Sequence, residues 1–119
     1  MSDVPDPYAP VRAFLAGAEI RPDFGARAMA RIEAQHDQLG SRFLWCVPMR
    51  LIVEATEEAE DLAAWCALAR ARLDDDEALA GVGDTTGNRA RALLNIATKR
   101  AGEADGALQE LRRLVERAA

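Results

Sequence analysis

Apolar side chains in this chain recur at every third or fourth residue and never in strict alternation, which restricts the fold to helices packed on helices. From Pro48 to Leu73, the residues Leu51, Ala55, Ala59, Leu62, Cys66, Ala69 and Leu73 step by 4, 4, 3, 4, 3 and 4, as one core-facing helix side does. From Asn88 onward there is no proline, and Leu93, Ala97, Ala101, Ala104, Leu108, Leu111, Val115 and Ala118 step by 4, 4, 3, 4, 3, 4 and 3. That is a heptad seam over almost four repeats. Alanine fills 25 of the 119 positions and only six residues are aromatic. Helices with such small side chains approach closely but bury little area each, so a second copy of the chain is expected to complete the core.

The remaining segments fit around these two stretches. Met1 to Pro10 holds three prolines and reads as an arm, residues 1–10, ahead of a single helical domain over 11–119. Val11 to Ala18 is a short helix. Arg21-Pro22-Asp23 restarts the chain, and Asp23 to Leu39 is a second helix closed by Gly40, with His36 interrupting the apolar stripe Ala28, Ile32, Leu39. Ser41 to Val47 is an apolar connector expected to pack down, and Pro48 suits the first turn of the main helix. Asp74 to Glu77 reads as the approach to a short helical turn, Asp76 to Ala80, and the three glycines of Gly81 to Gly87 as a loop. Gly102 and Gly106 are expected to fray or bend the last helix. The fold class is therefore all-α: a bundle of three main helices plus one or two short ones, completed by oligomerisation to a dimer or tetramer, with the last helix as the dimer surface.

A net charge of −5 argues against general nucleic-acid or anionic-membrane surfaces. No run approaches the length of a membrane span, and the acidic, proline-rich N-terminus is not a signal peptide, so a cytoplasmic protein is expected. Cys46 and Cys66, with no CxxC, read as buried free thiols.

One constellation reads as chemistry. On a helix at 100° per residue, Glu54, Glu57, Glu58 and Asp61 fall within an arc of roughly 100°. They form four like-charged pairs at i+3 or i+4, each costing roughly 0.2–0.5 kcal/mol, where a solvated face would interleave opposite charges. Arg50 to Glu54 is the only relief. Such crowding invites a hard divalent cation, Mg²⁺ or Mn²⁺, which takes carboxylate oxygens and keeps waters for substrate phosphates. Trp65 and then Arg72 continue the same surface.

The segment Glu54-x-x-Glu57-Glu58-x-x-Asp61-Leu62, followed by Ala63-Ala64-Trp65 and an apolar tail to Leu73, resembles the acidic helix of the all-α nucleoside triphosphate pyrophosphohydrolases. These are the MazG-like family, which includes dimeric dUTPases and phosphoribosyl-ATP pyrophosphohydrolases, and small phage-encoded members are the nearest in character. The resemblance covers about 25 of the 119 residues. It implies hydrolysis of a nucleoside triphosphate to monophosphate and pyrophosphate, with Glu58-x-x-Asp61 matching the family's ExxD. It implies that Glu54, Glu57, Glu58 and Asp61 hold the metal, that Trp65 stacks a base, and that Arg50 or Arg72 clamps phosphate. The preceding helix departs from the family pattern, offering Glu33, His36 and Asp37 in place of an EExxE. A degenerate relative that still binds nucleotide is the variant reading.

Two other classes remain open. Glu33-x-x-His36 has the i, i+3 spacing of ligands in ferritin-like di-metal carboxylate bundles, which makes Glu33 and His36 further metal candidates. A non-enzymatic helical partner-binding or inhibitor protein, of the phage or plasmid accessory type, would use the heptad seam and the acidic surface without catalysis.

Overall fold

The computed structural model describes residues 6–39, 47–75 and 84–118. Among them are four helices and no strand: α1 (Ala9–Gly17), α2 (Pro22–Leu39), α3 (Pro48–Asp75) and α4 (Asp84–Ala118). The all-α class expected from periodicity is the class observed. Contacts divide the chain into two units, Met1–Cys46 and Val47–Ala119.

In the first unit α1 packs on α2. Helix α1 starts two residues ahead of the expected Val11, because Pro10 sits in its first turn, where the missing N–H loses nothing. The entry is fixed by Asp6, whose Oδ1 accepts the Tyr8 N–H at 2.9 Å, and by the Ala9 N–H bonding the Asp6 carbonyl at 3.2 Å. Tyr8 is thereby buried, 8% exposed, with its hydroxyl 2.5 Å from His36 Nδ1 and the two rings edge to face. Helix α2 begins at Pro22, with Asp23 in its first turn facing the positive end of the dipole.

In the second unit α3 and α4 form a hairpin. Arg70 bonds Asn95 and Asp74 pairs with Arg91, so residue numbers rise on one helix as they fall on the other and the pair is antiparallel. Asp74 and Asp75 belong to α3, and the Asp74–Arg91 pair at 2.9 Å offsets the unfavourable charge at that helix C-terminus. The expected loop over Gly81–Gly87 is corrected from Asp84 on, which is already helix. Asp-Thr-Thr is a strong helix-starting sequence, and a single glycine costs only about 1 kcal/mol. Helix α4 also runs through Gly102 and Gly106 without interruption. Of the connector expected to pack down, Val47 is instead 66% exposed, and 41–46, like the short turn 76–80, lie outside the described residues.

The core face of α3 differs from the one expected. Met49, Ile52, Thr56, Ala59, Ala63, Cys66, Arg70 and Leu73 have reduced exposure, whereas Leu51, Ala55, Leu62 and Ala69 are exposed. On a wheel with Glu54 at 0°, the observed seam centres near about 160° and the expected one near about 100°, a rotation of roughly 60°. Two polar residues explain the error. Thr56 is buried, its hydroxyl donating to the Ile52 carbonyl at 2.9 Å, and Arg70 is half-buried, its guanidinium bonding Asn95 at 2.7 Å. On α4 the seam runs Ala90, Leu94, Ala97, Ala101, Asp105, Leu108, Arg112 and Val115, with Ala101 only 2% exposed. Leu93 and Leu111 of the expected heptad stay outside, at 49% and 42% exposure.

Candidate functional site

Rotation of the seam moves the acidic stripe. Its four side chains centre near about 350° on the α3 wheel, almost opposite the α4 contact at about 160°. With the core face centred near about 100°, as the apolar spacing predicts, the stripe would border the core; with the observed seam it faces away from α4. Glu57, Glu58 and Asp61 are exposed. Glu54 is half-buried and tied to Arg50, with Nη2 2.7 Å from its Oε1. Among the described residues no other ion pair reaches the stripe, and no three His, Cys, Asp or Glu side chains come together as ligands for a metal ion. The donors among the described residues of one copy are not gathered as a metal centre.

The other candidates are placed as follows. Trp65 is 69% exposed, which excludes a core-packing role within the hairpin. Arg72 is exposed in the last turn of α3. Glu33 lies 3.3 Å from Arg12, which also pairs with Asp6, and His36 Nδ1 is engaged by the Tyr8 hydroxyl. Both groups hold the first unit together rather than standing open to a metal. Cys66 is a buried free thiol, as expected, while Cys46 lies outside the described residues.

What sequence reasoning missed is a surface. Leu51, Leu62 and Trp65 project from α3 about 80–140° to one side of its seam, and Leu93, Ile96, Leu111 and Leu114 project from α4 about 80–150° to the same rotational side. In an antiparallel pair of right-handed helices, equal rotational offsets from the shared seam lead to the same side of the hairpin. The seven residues therefore share one open side, with Ala55, Ala104 and Ala107 exposed between them and the exposed Arg100–Glu103 ion pair lying among them on α4. Glu58 is the one carboxylate of the stripe that also falls there. A second apolar arc beside the first was the signal in the α3 sequence, and a count that assigns every apolar residue to one core merges the two.

Among the described residues no helix is long and apolar enough to cross a membrane. No protein-family model, curated protein or solved structure matches this chain.

Proposed function

We propose that this chain is a helical assembly module whose working surface is the open side of the α3/α4 hairpin, covered by the same surface of a second copy. The observation that carries this reading is that Leu51, Leu62, Trp65, Leu93, Ile96, Leu111 and Leu114, each 42–69% exposed, lie together on one side. Large apolar side chains gathered on one side in this way, with charged groups such as Glu58 and the Arg100–Glu103 pair among them, mark an interaction site. Helix α3 has 28 residues, so at 1.5 Å per residue and roughly 10 Å per helix the face measures about 42 by 20 Å. Two such faces together bury about 1,600 Å², the size of a stable specific interface. Within one copy the hairpin buries only Ile52, Thr56, Cys66 and Ala101 among its described residues. A two-helix layer with so small a core gains most by becoming half of a four-helix bundle about a two-fold axis.

Sedimentation velocity over a wide range of protein concentration tests this directly. The chain is expected to self-associate, and Leu62→Glu with Leu111→Glu to yield a single copy of unchanged helix content. A wild-type chain that stays a single copy throughout would refute self-assembly and leave a different protein as the occupant of the face.

A second reading, a Mg²⁺-dependent nucleoside triphosphate pyrophosphohydrolase or a nucleotide-binding relative, draws on Glu57, Glu58 and Asp61, crowded without a cation partner among the described residues. It requires ligands from a second copy to complete the metal site. Thermal unfolding with Mg²⁺ and a panel of nucleoside triphosphates separates the readings, since a ligand at 100 times its Kd adds about 2.7 kcal/mol. A shift that needs both metal and nucleotide favours the enzyme, and no shift eliminates it.

A further inference from the structure

The side of the hairpin away from the open apolar face carries a groove of about 410 Å³, lined by Cys66, Ala67 and Arg70 on α3 and by Asn95, Thr98 and Lys99 on α4. Its polar groups are unbalanced. Arg70 occupies a seam position, where an apolar side chain ordinarily sits, and its Nη1 donates to Asn95 Oδ1 at 2.7 Å. Its Nε is buried and has no acceptor among the described residues. A buried charged donor without an acceptor is costly, and native structures seldom leave one so.

The groove holds only neutral acceptors, the Asn95 and Thr98 side-chain oxygens, and neither accepts from Nε. The Asn95 oxygen accepts from Arg70 Nη1, and its amide N–H groups are further donors. Lys99 adds a second cation at the exposed rim, and the Thr98 hydroxyl spends its proton on the Leu94 carbonyl at 2.8 Å. Among the described residues no carboxylate lines the groove, and Asp74, one turn beyond Arg70, is held by Arg91. In a chain of net charge −5, this is a local concentration of donors and positive charge with one element missing, an anion.

We propose that the groove binds a phosphate-type oxyanion, held between the Arg70 guanidinium and the Lys99 ammonium, with the Asn95 amide as a further donor. A tetrahedral dianion presents acceptors on several sides and so meets donors arriving from both helices. Arginine is suited to such oxygens by its planar fork of N–H groups. The site does not depend on the acidic stripe or on self-association through the opposite side of the hairpin.

The test is titration of the full chain with inorganic phosphate at constant ionic strength, followed by calorimetry and by backbone amide NMR shifts. Saturable binding with shifts centred on Arg70, Asn95 and Lys99 is expected. Lys99→Ala should weaken it about tenfold, the effect of losing one charge-assisted contact of about 1.4 kcal/mol, and Lys99→Glu should abolish it. Arg70→Gln should do the same; should that variant fail to fold, the exposed Lys99 substitutions carry the test, with circular dichroism confirming their helix content. A parallel titration with glycerol 3-phosphate tells a free ion from a phosphate carried on a larger molecule, tighter binding of the ester indicating the latter. Absence of saturable binding, binding undiminished in folded Lys99→Glu, or acetate binding as tightly as phosphate would each overturn the assignment.

Discussion

Trp65 is the residue on which the assembly reading can be made quantitative. A large aromatic side chain offers up to about 250 Å², and at 69% exposure Trp65 shows about 170 Å² of it to solvent in a single copy. Covering all of that would contribute up to about 4 kcal/mol at about 25 cal/mol per Å². Allowing half for incomplete cover and for the contact that alanine retains leaves about 2 kcal/mol per copy, the level of an interface hot spot. Two-fold symmetry counts the substitution twice, so Trp65→Ala should raise the dimer dissociation constant by roughly three orders of magnitude. Sedimentation equilibrium measures that constant, and circular dichroism verifies that helix content is retained. A dissociation constant within tenfold of wild type, in a variant that remains helical, would refute the inclusion of Trp65 in the covered face.

Further outcomes follow from the same geometry. Ala101→Leu should destabilise the hairpin by about 1–3 kcal/mol through overpacking, because Ala101 is 2% exposed, while Ala104→Leu, on the open side, should stay within about 0.5 kcal/mol in a single copy; equal losses in thermal unfolding would return the seam to its expected register. Combined Glu58→Ala and Asp61→Ala removes three of the four like-charged i+3 and i+4 pairs and should raise stability by about 0.6–1.5 kcal/mol, whereas an unchanged or lower Tm would mean that a cation already neutralises the stripe. The Asp23 carboxyl is held below its ordinary value of 3.8, chiefly by its hydrogen bond from Arg21. A carboxylate depressed in the folded state contributes stability above its unfolded pKa and loses it as pH falls through the folded value, so Asp23→Asn should flatten the acid limb of the first unit's unfolding profile.

Periodicity alone made the helices legible, because backbone hydrogen bonding and a 3.6-residue repeat are local properties. Pro48 at the start of α3 and the unbroken helical span of α4 were readable for the same reason, whereas the α4 seam was only half anticipated, through Ala97, Ala101, Leu108 and Val115. Glycine misled at Gly87, where favourable packing of α4 on α3 outweighs a propensity cost of about 1 kcal/mol. Burial of polar residues was less accessible still. Nothing local in Thr56 announces that its hydroxyl will satisfy itself on the Ile52 carbonyl, and nothing in Arg70 names Asn95, 25 residues away, as its partner. His36 was visible as a gap in an apolar stripe, yet its use by Tyr8 depends on a contact 28 residues apart.

The amino-acid order determined that this chain is helical, acidic and alanine-rich, with two long amphipathic segments and four carboxylates crowded on one of them. Which arc of each helix became the seam was decided only by tertiary pairing. A helix wheel records every apolar arc, but one neighbouring helix can cover only one of them, and hydrogen-bonded polar side chains help choose which. That choice turned the carboxylates of α3 away from α4, left Trp65 and six large aliphatic side chains on one open side, and put Arg70 in the seam with Asn95 as its partner.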